Sequence, residues 1–321
     1  MTCVSNFRMS NNYFIVLFLF GQFLFSQVKQ ESVDKLNKLP FTELSKKDKS
    51  KMQQGELIRD GDVRFTVSQS YFSNWIRGGK SSLASQFLID YGIIYKNESG
   101  LVWDNEFTFS LGGAYVSGSE GIKKADDQFI WNSLVGFNRK KLQWNFSIYY
   151  SLKTQILSGF KYSSMDDREI KTKESAFFSP GIIQLGLGVF RINEGKSRMN
   201  FSPLTTQLVV INKNLAAEYR PNKSYFGVPP GKSSQGYFGA SLNGYYKKEI
   251  WENISLDYRY DFYANYLKEF SNIDFKQSIT LNFKVNRYIS CTMNAELIYD
   301  DDLLSDLQVK EIFGLGLNLD I

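Results

Sequence analysis

The stretch IDFKQSITLNFKV, residues 273–285, puts Ile273, Phe275, Ile279, Leu281, Phe283 and Val285 in one frame, interrupted only by Gln277. The other frame holds Asp274, Lys276, Ser278, Thr280, Asn282 and Lys284. A period of two sends alternate side chains to opposite sides of an extended chain, so this is a strand with one apolar and one polar face. The fold turns on what those faces meet: a protein core and bulk water, or lipid and a water-filled interior.

Working outward, runs of the same texture recur at 62–71, 83–95, 101–115, 128–137 and 144–153, and again at 181–190, 199–211, 237–246, 254–266, 289–299 and 313–321. Their length approaches the roughly 9–11 residues that a tilted transmembrane strand needs, about twice the usual length of a strand in a soluble protein. Connections alternate along the chain. NESG, NRKK, INEGKS, KKEIWEN and NRY are short, whereas SGFKYSSMDDREIKTKESAFFSP and NKNLAAEYRPNKSYFGVPPGKSSQ are long. Outer-membrane barrels show this asymmetry between periplasmic turns and external loops. Aromatic residues make up 16% of the chain and Pro numbers only 6, a composition that favours strands and lacks breakers. Trp103, Trp144, Tyr95, Tyr115, Tyr258, Tyr266 and Tyr299 fall mostly near the ends of the apolar faces, where interfacial girdles belong.

The N-terminus reads as a signal peptide over residues 1–26, with Arg8, an apolar stretch from Tyr13 to Phe25, and cleavage after Ser26. Residues 27–60 are polar and read as a periplasmic segment without a strand; the barrel is assigned to residues 61–321. Mean hydropathy is −0.29, which excludes a helical membrane protein. Lys and Arg outnumber Asp and Glu only by 38 to 33 and are dispersed, which argues against nucleic acid as a partner. The sequence therefore predicts an all-β, closed antiparallel transmembrane barrel of about twelve strands. Its expected partners are outer-membrane lipid and the barrel-assembly machinery of a Gram-negative cell. A soluble secreted β-barrel alternates too, but it does not require paired charges on its polar face.

The chain contains no histidine, which removes Ser-His-Asp and Cys-His catalysis together with most zinc sites. No catalytic residue, metal site or cofactor is read from the sequence. Cys291 lies in an apolar frame and reads as an inert thiol. Asp126, Asp127 and the run from Asp300 to Asp302 are assigned to external loops as solvated charge. The expected site is instead a charge network in the lumen: Asp257, Arg259 and Asp261 on one strand, with Lys276, Lys284 and Glu296 on the next two. The functional expectation is a narrow passive channel, a transport component or a structural membrane protein. The alternative is a His-independent enzyme acting on lipid or surface polymer.

Several segments together resemble an uncharacterised family of Gram-negative outer-membrane barrels, carried as a domain of unknown function. N-W-x-x-G-G is met by Asn74, Trp75, Gly78 and Gly79; K-x-x-D-D ends at Asp126 and Asp127. K-T-Q-x-x-x-G is met by Lys153, Thr154, Gln155 and Gly159, and S-P by Ser179 and Pro180. The resemblance extends over about residues 64–302. It implies an outer-membrane barrel and no particular reaction.

Overall fold

The computed structural model describes residues 57–71, 80–97, 99–137, 144–165, 168–193, 196–267, 273–286, 288–300 and 304–320. The strands, in chain order, begin with β1 (Leu57–Ser70), β2 (Ser82–Lys96), β3 (Leu101–Val116), β4 (Lys123–Phe137) and β5 (Asn145–Thr154). A hairpin follows, β6 (Gly159–Met165) and β7 (Arg168–Ser175), and then β8 (Gly181–Asn193) and β9 (Ser197–Val210). The helix α1 (Lys213–Tyr219) precedes β10 (Ser234–Trp251), β11 (Ile254–Asn265), β12 (Ile273–Lys284), β13 (Ile289–Asp300) and β14 (Leu304–Asp320). Twelve strands close into an antiparallel barrel in the order β1-β14-β13-β12-β11-β10-β9-β8-β5-β4-β3-β2, and β6 and β7 form a separate two-stranded sheet. Closure satisfies the edge N–H and C=O groups, which hydrocarbon would otherwise leave unpaired. The closing seam is short: β1 meets β14 only from Asp62↔Asp320 to Val67↔Leu315, whereas β1 and β2 pair from Leu57↔Tyr95 to Ser70↔Ser82.

Strands outrun their apolar patterns. β1 starts at Leu57, inside the segment assigned no strand; β4 starts at Lys123 and not 128; β14 starts at Leu304 and not 313. Alternation marks only the part of a strand that touches lipid, and the backbone ladder continues into water beyond it. Asp126 and Asp127 are corrected by this: they belong to β4, paired with Gly112 and Leu111, and not to a loop. The connections 155–180 and 211–233 stay long and carry the hairpin and α1, which the sequence reading left as loops. Residues 1–56, including the assigned signal peptide, lie outside the described residues.

The outward faces carry the apolar frames. Phe146 is 81% exposed, and Phe313, Leu315, Leu187 and Leu204 stand out in the same way. Polar residues in these frames have aromatic partners. Gln277, the interruption in 273–285, accepts the Tyr258 hydroxyl at 3.0 Å. Ser133 accepts Trp103 Nε1 at 3.0 Å, and Asn105 accepts Trp131 Nε1 at 3.3 Å. Each ring both satisfies and covers its partner, so the lipid face offers few bare polar atoms at these points. Cys291, in register with Phe283 and Leu315, shares this outward face.

Candidate functional site: the barrel lumen

Inward frames bring charges of both signs into one cavity of about 170 Å³. On β11, Arg259 Nη2 lies 3.2 Å from Asp257 Oδ2, while Asp261 Oδ2 receives Lys153 Nζ from β5 at 2.5 Å. On β12, Lys276 reaches Glu296 of β13 at 3.3 Å and donates to Gln128 of β4 at 2.8 Å. From β14, Lys310 pairs with Asp126 at 2.9 Å; Asp126 also accepts Gln86 Nε2 at 2.6 Å and the Ser110 hydroxyl. The lumen residues expected from the sequence therefore come together, except Lys284, which ends β12 at the exposed short-turn end. Several of these links join strands that are not neighbours, so they cross the lumen and restrict it.

Arg198 of β9 is the most enclosed cation of the set, at 3% exposure. Its Nη1 donates to Asp104 at 2.6 Å and its Nη2 to Glu106 at 2.7 Å, both on β3, and its guanidinium lies 5.3 Å from the Tyr245 ring centre. One planar fork serving two carboxylates is a geometry that Lys does not offer. The sequence reading passed over Arg198, although its place in a polar frame with Asn200 and Ser202 signals an inward position. Next to it, Val102, Leu134, Tyr149 and Phe190 form an apolar cluster inside the barrel at the short-turn end. Gly136 lies against it so tightly that a Cβ would collide with the Phe190 ring.

At the long-loop end, the connection between β9 and β10 folds over the opening. Asn212 caps α1 by accepting from Asn214 N at 3.0 Å and Leu215 N at 3.3 Å. Beyond α1, Tyr225 and Val228 pack on Val209, Tyr237 and Tyr263, which point inward from β9, β10 and β11. Tyr237 donates to Gly227 O at 2.7 Å. Glu174 of β7 ties this cap to the hairpin: its carboxylate accepts Tyr219 at 2.5 Å and its carbonyl accepts the Tyr225 hydroxyl. Burial and the neighbouring Glu174 carboxylate push the Tyr219 hydroxyl up to about 12. Tyr225 shifts upward as well, chiefly through burial.

The motif residues assemble at the rim. Asp127 pairs with Lys124 at 3.0 Å and accepts the N–H groups of Ile156 and Leu157 at 3.0 and 2.7 Å. Gln155 accepts from Lys124 and from Ser175, both at 2.8 Å, and Thr154 donates to Pro180 O at 3.0 Å. A Cβ on Gly159 would collide with Ser175 Oγ and crowd Lys124. This arrangement anchors the base of the hairpin to β4. Lys153 points into the lumen instead, and Asn74, Trp75, Gly78 and Gly79 lie outside the described residues.

A family described as "Protein of unknown function (DUF3078)" matches residues 67–160, a shorter span than the resemblance read from the motifs. No curated protein matches the chain. Among solved structures, the chain is similar to an outer membrane channel from Pseudomonas putida F1, at 11% identity over 84% of this chain and 96% of that one, with a TM-score of 0.33. It is similar to outer membrane phospholipase A from Escherichia coli, at 11% identity over 80% and 90%, with a TM-score of 0.38. The translocator domain of the autotransporter NalP from Neisseria meningitidis is 7% identical over 90% and 97%, with a TM-score of 0.36. With its lipid-facing exterior and polar interior, this chain is a twelve-stranded β-barrel of the outer-membrane type.

Proposed function

We propose that the protein works in a Gram-negative outer membrane, inserted there by the barrel-assembly machinery, as a narrow channel for small polar solutes. The observation that carries this reading is the lumen cavity, whose wall is polar and holds charges of both signs, crossed by the Lys153–Asp261 pair and its neighbours. An interior built only to hold a barrel together would be filled more stably by well-packed apolar side chains, because buried ion pairs recover little of their desolvation cost. Twelve strands enclose a lumen between the filled eight-stranded and the open sixteen-stranded barrels.

The test is ion conductance of the purified protein in planar bilayers. The wild type should conduct weakly, and Lys153→Ala with Asp261→Ala should conduct about two- to threefold more, because removing two crossing side chains widens the passage. Silence in both proteins would refute the channel and leave a structural barrel.

A further inference from the structure

Asn243 of β10 is 4% exposed and lines the lumen cavity, yet neither its Oδ1 nor its Nδ2 has a hydrogen-bond partner among the described residues. Its cross-strand neighbours on the same face are Asn200 of β9 and Asp261 of β11. Asn200 is committed elsewhere, donating to Ser202 at 3.0 Å and accepting from Ser147 at 2.6 Å. Asp261 receives Lys153 on Oδ2, and its Oδ1 takes no hydrogen bond among the described residues. A buried amide left without partners is unfavourable, so a group with both donor and acceptor character belongs beside it.

Asn243 stands opposite Asp261 in the β10–β11 register, Lys153 reaches Asp261, and all three line the lumen cavity, so an ammonium, a carboxylate oxygen, an amide donor and an amide acceptor share one part of its wall. We propose that the niche binds a small zwitterion of the amino-acid class. Its ammonium is held by Asp261 Oδ1 and Asn243 Oδ1, and its carboxylate by Lys153 and Asn243 Nδ2. The choice among solutes follows from the ion pair. A lone cation or anion that opened Lys153–Asp261 would leave one member without its counter-charge in a partly buried place, which is unfavourable. A zwitterion replaces the pair charge for charge. A neutral polyol gains hydrogen bonds from Asn243 but no charge-assisted one. The lumen cavity that Asn243 lines measures about 170 Å³ over its whole length, more than single bridging waters need.

This site deepens the channel reading and rests on it only for the solute's access to the lumen. Titration calorimetry on the full chain in a non-ionic detergent needs no conduction, so the two readings fail separately. Glycine and β-alanine should bind, while acetate, ethanolamine and glycerol should bind at least about tenfold more weakly. Asn243→Ala should weaken glycine about tenfold, the effect of losing one to two net hydrogen bonds. Asp261→Asn keeps the shape and removes the charge, and it should weaken glycine as much, which keeps the test decisive if Asn243→Ala fails to fold. Absence of glycine heat, glycerol binding equal to glycine, or unchanged affinity in folded variants would overturn the proposal and leave a water-filled niche.

Discussion

At the short-turn end the lumen is narrowed by side chains that belong to the barrel strands, Val102, Leu134, Tyr149 and Phe190 next to the Arg198–Asp104–Glu106 cluster. At the long-loop end it is covered by Tyr225 and Val228, which come from a connection and pack on inward residues of β9, β10 and β11. Both clusters are apolar and both contain tyrosine, but the first forms whenever the barrel forms. The second additionally requires α1 and the hairpin to fold and to meet through Glu174. Stability should therefore be concentrated at the short-turn end, and adjustable structure at the other. A cover built from a connection can loosen without breaking a strand ladder.

The contrast breaks if Arg198→Ala is mild. That substitution leaves Asp104 and Glu106 enclosed without their counter-ion and should destabilise the barrel by about 3–5 kcal/mol, read by urea unfolding in lipid vesicles. Tyr225→Phe removes one hydrogen bond from the cover and should cost about 1 kcal/mol. Its effect should appear as faster proteolysis of 211–233 with the barrel's unfolding midpoint nearly unchanged; a large midpoint shift would merge the two regions into one cooperative unit. The smallest effect concerns pH. The Tyr219 hydroxyl is held above the ordinary tyrosine value near 10, so its contact with Glu174 contributes fully below about pH 10 and is lost as pH rises through about 12. An ultraviolet titration should show Tyr219 among several late-ionising tyrosines, with one fewer ionising near 12 in Tyr219→Phe than in the wild type; an unchanged number would assign that step elsewhere.

The architecture was legible because lipid imposes a period that local sequence must obey, as Phe275, Ile279, Leu281 and Phe283 do. The inward position of Asp257, Arg259 and Asp261 follows from the same alternation. Partner choice does not follow from it. Lys153 meets Asp261 and Lys310 meets Asp126 across the lumen, and such chords depend on tilt and shear, which leave no local trace in the chain. Asp126 was misplaced for a related reason: above the lipid boundary the strand has no apolar face to announce it, although its ladder runs on to Lys123. The orphaned amide of Asn243 is also invisible from sequence, where Asn in a polar frame looks the same with or without partners.

The short β1–β14 seam has a consequence for how the chain reaches this state. Every other strand pair in the barrel joins β-segments that are close in sequence or separated by one ordered connection, but the seam joins Asp62 to Asp320. Closing so long a loop is entropically costly and is offset only by the few pairs that end at Val67↔Leu315. The seam is therefore expected to form last, after the eleven other pairings have lined the twelve strands up as an open sheet. Until then the two edges facing each other carry unpaired backbone groups, so an assembling catalyst that shields those edges would act on this pair more than on any other.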